Sequence, residues 1–300
     1  AALIAKLTQV GRYLSERITH HDEWFTSIQP LTDELIPEAV KLKLRDEFHQ
    51  GIDARYQHIL ADADLVRGEK LRQIWDLFQQ NSVVIVHGAS GQGKSALAFR
   101  YLHEYVPDHW RLWIRVLQDR KHLLKVAHAV AMHAVAVGLP MVVYLDVLPT
   151  DADWPELVRE LATIENLQLL VTIREEDWRQ TPSLRARFMF HDMELRFDRA
   201  EAQIIFDKTP HLDGRFLDFE DAWRRFGGNG PLLEFVYFLT QNQSLKSRIE
   251  DQIAQLQDRV RHGRLNVTEL HMLRLIAVAS AYEARLKIDK LAIHLNLLEA

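Results

Sequence analysis

The stretch from Val83 to Ser95 constrains this chain more than any other. Val83-Val84-Ile85-Val86 is a β-branched run that leads through His87 into Gly88-Ala89-Ser90-Gly91-Gln92-Gly93-Lys94-Ser95, and Ala96 to Tyr105 then reads as an amphipathic helix. A strand, a Gly-x-x-x-x-Gly-Lys-Ser loop and a helix, in that order, form the setting a phosphate-binding P-loop requires. The glycines let the N–H groups of Gly88, Ser90, Gly91, Gln92 and Gly93 turn inward around an anion. Lys94 reaches the β- and γ-phosphates and Ser95 holds Mg2+. Ala96 lies in the first turn of a helix whose N-terminus adds partial positive charge. A plain glycine turn between strand and helix would need neither the lysine nor the hydroxyl.

The 300 residues suit one large or two modest domains. Hydrophobic content of 47% and charged content of 26% are those of an ordinary globular protein. A net charge of −5 argues against a surface that coats nucleic acid. The absence of cysteine removes disulfides and thiolate metal sites and fits a cytoplasmic protein. The apolar region Val126 to Val147 is interrupted by His128, His133, Gly138 and Pro140, so it reads as a helix followed by a buried strand rather than a membrane span. The chain opens Ala1-Ala2-Leu3 without a signal-peptide layout and closes inside an apolar-periodic segment. The expectation is a piece of something longer.

Residues 1–64 read as a helical N-terminal segment or linker, broken by Pro30 and Pro37, with no chemistry of its own. His20-His21-Asp22-Glu23 reads as a solvated turn, because adjacent residues point in different directions. From Lys70 a helix leads into alternating strands and helices over 65–197. Strands are expected at Val83–Val86, Arg111–Val116, Met141–Leu145, Leu167–Thr172 and Met193–Phe197. Such βα units predict an α/β fold: a five-stranded, mainly parallel sheet with helices on both faces. Near-continuous apolar strands fit burial on both sides. Beyond Asp198 the strands stop, and helices are expected over 199–208, 219–226, 231–241 and 246–261, a helical domain spanning 198–263.

Asp146 ends the apolar run Met141-Val142-Val143-Tyr144-Leu145, where ligands meet the edge of an α/β sheet, and is the candidate carboxylate for Mg2+ beside Ser95. The next residue is Val147, where a hydrolytic site would place a second acid. Asp151, Asp153, Glu175 and Glu176 remain as candidates to polarise a water. Arg174 follows Leu169-Leu170-Val171-Thr172-Ile173 on the same edge, within reach of a γ-phosphate; the plain alternative is a surface arginine paired with Glu175 or Asp177. The catalytic candidates are thus Lys94, Asp146 and Arg174.

In this order the motifs resemble the STAND class of signal-transduction P-loop ATPases, which includes the NACHT and NB-ARC switches. The resemblance rests on Val66-Arg67-Gly68-Glu69 some twenty residues before the loop, Asp146, Arg174, and Gly227-Gly228-Asn229-Gly230-Pro231-Leu232-Leu233 opening a helix. It departs from that class in two places: the usual Gly-Arg-Glu is Arg67-Gly68-Glu69 here, and the usual Gly-x-Pro carries one residue more before Pro231. The resemblance implies ATP or ADP with Mg2+. It also implies that Leu65, Val66 and Arg67 hold the adenine, that Arg174 senses the γ-phosphate and that Pro231 packs on the base. Residues 264–300 would begin a winged helix acting as a relay. Oligomerisation on activation by a protein trigger follows from the same likeness. Gly91 to Ser95 and Gly51-Ile52-Asp53-Ala54-Arg55 look most like bacterial antiviral STAND proteins.

Two other classes remain. A nucleic-acid-directed motor would want a second acid after Asp146, an arginine finger and a basic channel; a small-molecule kinase usually lacks a long helical extension. The fifteen histidines show no metal-ligand spacing, and the scattered tryptophans, Trp110, Trp113, Trp154, Trp178 and Trp223, read as core residues.

Overall fold

The computed structural model describes residues 27–49, 53–114, 120–149, 151, 153–181, 188–208 and 215–240, with isolated helical positions between 253 and 276. The chain divides into two compact units, Ala1–Thr240 and Gln241–Ala300. In the first, the elements run β1 (Ile28–Pro30), α1 (Glu38–His49), α2 (Tyr56–Leu60), α3 (Gly68–Phe78), β2 (Val83–Gly88), α4 (Lys94–Tyr105), β3 (Arg111–Ile114), α5 (Arg120–Val137) and β4 (Met141–Asp146). They continue α6 (Trp154–Leu161), β5 (Leu167–Arg174), α7 (Glu175–Gln180), β6 (His191–Glu194), α8 (Arg199–Lys208), α9 (Phe219–Phe226) and α10 (Leu232–Thr240).

The strands form one sheet of six, in the order β1-β3-β4-β5-β2-β6. All neighbouring pairs are parallel except β1, which lies antiparallel on β3 with Gln29 opposite Trp113. This corrects the five-strand expectation. The sixth strand comes from the segment read as helical, and is too short for its alternation to show. Pro30 is tolerated because β1 is an edge. β6 also begins and ends earlier than expected, at His191–Glu194.

Strand parity builds the two faces. Val83, Ile85, Val143, Leu145, Leu169 and Val171 point into a core with α5 and α6. Val84, Val86, Val142, Tyr144 and Leu170 point into the other, with α2, α3 and α4. Side chains alternate with a period of two, so Asp146, Thr172 and Arg174 emerge on the α4 face. The loop after β2 delivers Ser95 to that same face.

Helices α8 to α10 close around a third core of Ala202, Ile205, Phe216, Phe219, Ala222, Phe235, Phe238 and Leu239, with Trp223 packed against it. Asp218 caps α9 by accepting from the Asp221 N–H at 2.8 Å, and Gly227 ends it at φ +94°. Of the expected 246–261 helix and winged helix, only isolated positions fall among the described residues, and those that carry an assignment are helical apart from a turn at His262. Residues 1–26, with the His20 cluster, lie outside them. Among the described residues no helix is long and apolar enough to cross a membrane.

Candidate functional site

The P-loop is built by close backbone approaches. At Gly88, φ is +155° and an added Cβ would meet the Leu195 carbonyl oxygen at 2.6 Å, so β2 can end beside β6 only without a side chain. Gly93 sits at φ +78° as the N-cap of α4, which directs the helix N-terminus at the loop. Lys94 Nζ donates to the carbonyls of Gly88 (2.8 Å) and Ala89 (2.9 Å), holding the ammonium over the loop. Burial lowers its pKa, Asp146 opposes that shift and the positive Arg174 adds to it.

Across from the loop, Ser95 Oγ donates to Asp146 Oδ2 at 3.1 Å and Thr172 Oγ1 donates to Asp146 Oδ1 at 2.6 Å. The buried Tyr144 hydroxyl and Thr172 Oγ1 lie 3.0 Å apart. Burial raises the Asp146 carboxyl above the ordinary range, against the Thr172 and Ser95 hydroxyls and the Lys94 ammonium. A hydroxyl and one carboxylate at a P-loop are the hard oxygen donors that Mg2+ uses together with phosphate oxygens. Among the described residues no group of three or more His, Asp or Glu could hold a metal ion. Thr172 was not singled out in the sequence; its parity with Arg174 is the signal that finds it.

Arg174 is exposed at the end of β5 and opens α7. Its neighbour Glu175 is drawn away: His87 Nδ1 lies 2.6 Å from Glu175 Oε2, and Arg179 Nε donates to Glu175 Oε1 at 2.9 Å. His87 stacks on Trp178, with ring centroids 5.0 Å apart. The expected alternative, pairing of Arg174 with Glu175 or Asp177, is not among the ion pairs of the described residues.

Arg67 is buried where the loop meets the helical domain. Its Nη1 donates to the Gln92 carbonyl (2.8 Å), its Nε and Nη2 donate to the two oxygens of Glu201 (2.7 and 2.6 Å), and Nη2 also reaches the Arg196 carbonyl (3.1 Å). Gln92 Oε1 accepts from the Phe197 N–H at 2.9 Å. The first turn of α10 closes on the same loop: Leu233 N–H donates to the Gly91 carbonyl at 3.0 Å. A Cβ at Gly91 would lie 3.3 Å from Leu233 Cβ and 3.4 Å from Pro231 Cβ. Glu201, Gln92 and Leu233 tie the loop to α8 and α10 through contacts no spacing rule reveals.

A cleft of about 980 Å3 opens over Ser90, Gly91, Gly93, Lys94, Ser95 and Ala96. Its lining also includes Asp146, Arg174, Trp113, Asp53 and Arg55. Val66, Arg67 and Pro231 stand outside its lining, Val66 exposed and Arg67 enclosed. The four acids proposed to polarise a water do not line it either. Asp151 is buried and accepts from the Leu148 N–H at 3.0 Å, closing its own turn.

A scan against protein-family models and a search of curated proteins give no match. Among solved structures, the chain is similar to the Walker-type ATPase of Pyrococcus abyssi, at 12% identity and TM-score 0.40, covering 68% of this chain and 76% of that one. It is similar to katanin, in a structure concerned with its self-assembly, at 13% identity and TM-score 0.38, covering 95% and 91%. A STAND protein with a tetratricopeptide repeat sensor from Pyrococcus horikoshii gives 14% identity and TM-score 0.40, with 76% of this chain covering 36% of that chain. These likenesses are distant, and the loop geometry stands independently of them.

Proposed function

We propose that this chain is an ATP- and Mg2+-binding switch of the STAND type, whose nucleotide state sets the position of helices α8 to α10 against the α/β core. The observation that carries this reading is the double engagement of the P-loop. Gly91 and Gln92 belong to the phosphate cradle, yet their carbonyls are held by Leu233 of α10 and by Arg67, which is itself clamped to Glu201 of α8. A ligand that reshapes the loop therefore bears directly on the helical domain, which supplies the differential contact a switch needs.

In this reading Gly88 to Ala96 hold the phosphates, Ser95 and Asp146 hold the metal, and Lys94 and Arg174 neutralise the terminal phosphate. Val66 and Pro231, which stand outside the cleft lining, are assigned to the base by the resemblance alone, and Arg67 holds the loop through the Gln92 carbonyl. The bound metal supplies charge neutralisation at the phosphates. Val147 is buried directly after Asp146, so turnover is expected to be slow. A cytoplasmic defence protein that oligomerises in response to a protein trigger is the role this assignment suggests.

The test is equilibrium binding of ATP and ADP with and without Mg2+. Wild-type protein is expected to bind both, and Lys94→Ala is expected to lose binding by a hundredfold or more; tight binding by Lys94→Ala would refute the site. Arg174→Ala is expected to keep ADP binding and to lose ATP-dependent assembly. Unchanged assembly would remove Arg174 from the switch.

A further inference from the structure

Residues of the segment 53–57, which the sequence leaves without chemistry, contribute to the lining of this cleft. Asp53, Ala54, Arg55 and Gln57 all line the cleft that Lys94, Asp146 and Arg174 line from the sheet edge. The one-turn helix α2, which begins just after Arg55, is anchored at several points. Tyr56 is buried; its hydroxyl donates to Asp33 Oδ1 at 2.5 Å and accepts from the Arg111 guanidinium, which also donates to Asp33 at 2.6 Å. The Tyr56 ring meets Phe99 of α4 edge-on at 6.0 Å. Arg100, also on α4, donates to the Ile59 carbonyl at 3.3 Å and forks onto Asp64. The helix that begins with Lys94 and Ser95 therefore holds α2 directly.

That scaffold presents Arg55 at the N-cap of α2 with an extended backbone, its side chain exposed. The Arg55 N–H donates to His58 Nδ1 at 3.1 Å, and burial followed by the Arg55 charge holds the His58 imidazole below its usual range. Arg55 is the one basic residue among the 53–57 residues that line the cleft. No ion pair involves Arg55 among the described residues. The charged groups lining the cleft are Arg55, Lys94 and Arg174 against Asp53 and Asp146, and Asp146 already accepts from two hydroxyls. Three cationic groups against two carboxylates leave the lining net positive, which suits an anionic ligand.

We propose that Arg55 is a second guanidinium ligand for the terminal phosphate of a nucleoside triphosphate, supplied in cis from the segment before α2 to the cleft that Arg174 also lines. The assignment rests on the nucleotide reading above. A guanidinium can fork onto phosphate oxygens, and in the nucleotide reading the Gly88–Ser95 loop already encloses the inner phosphates, which leaves the outermost one for Arg55. Arg55 would then make the site distinguish triphosphate from diphosphate before any second subunit is present.

The experiment is calorimetric binding of a non-hydrolysable ATP analogue and of ADP, each with Mg2+, to wild type, Arg55→Ala and Arg55→Lys. Loss of a charged hydrogen bond is worth roughly tenfold or more in affinity. Arg55→Ala is therefore expected to weaken the ATP analogue by about that factor and to change ADP binding by less than about twofold, with Arg55→Lys in between. Because Arg55 is exposed and makes no ion pair among the described residues, the unliganded variants are expected to melt with wild type. Equal losses for both nucleotides, or no loss for either, would overturn the assignment while leaving the nucleotide site intact. Wild-type protein that binds neither nucleotide would instead overturn the reading on which it rests.

Discussion

Arg67 and Glu201 show how much one buried pair can carry. Both are nearly enclosed, with side-chain exposures of 3% and 11%, and the guanidinium forks onto both carboxylate oxygens. Removing one partner strands a charge that cannot be neutralised, because an arginine stays protonated. Glu201→Ala is expected to cost about 3–5 kcal/mol in urea denaturation. A cost near that of an exposed pair would show that water replaces the carboxylate. Asp146 is the converse case. Burial raises its folded pKa above the unfolded value, so the folded chain binds the proton more tightly. The associated stability is present below the unfolded pKa and is lost as pH rises through the folded pKa. Asp146→Asn keeps an acceptor for Thr172 and removes the charge. In metal-free protein it is expected to melt above wild type at neutral pH, with the difference closing as the pH falls into the ordinary carboxylate range. It is also expected to lose Mg2+-dependent nucleotide binding. Wild type melting at or above the variant at neutral pH would contradict the burial argument.

At the scale of elements, α10 joins a core to a site. Phe235 is fully buried in the aromatic cluster of the helical domain, meeting Phe226 with ring centroids 5.0 Å apart and Phe197 at 5.5 Å. Phe235→Ala removes the anchor behind Leu233, whose N–H holds Gly91. It is expected to cost about 3–5 kcal/mol and to weaken nucleotide binding as well, measured by melting and by titration. Unchanged affinity would mean that α10 bears no load on the loop. The same elements mark what periodicity could and could not reveal. The α8 and α9 boundaries were legible, because capping residues and apolar spacing lie within a few positions of one another. The edge strand Ile28–Pro30 was not legible, since three residues contain too little alternation and its pairing depends on β3, more than eighty residues away.

At the scale of the whole molecule, the sheet order places β5 between the P-loop strand and the strand of Asp146. This interposed strand is why Thr172 can bond to Asp146 and why Arg174 stands beside Gly88 in register. Ligand binding to a folded site of this kind raises stability by mass action. MgATP at a hundred times its dissociation constant is expected to add about 2.7 kcal/mol, read as a rise in melting temperature absent from Lys94→Ala. An equal rise in that variant would place the nucleotide elsewhere.

The sequence alone determined the strand–glycine loop–helix unit at Val83–Tyr105, the α/β alternation, Asp146 at a strand end and the change to helices after Asp198. Each depends on residues close together in the chain, where backbone conformation and period act locally. It could not determine that Arg67 grips Gln92 and Glu201, that Glu175 turns to His87 and away from Arg174, or that Arg55 lines the cleft. The Arg67 and Glu175 contacts depend on which atoms the folded sheet and helices bring within 3 Å across separations of 25 to 134 residues. Only the packed chain decides such meetings, because buried charge must find its partners wherever the fold places them.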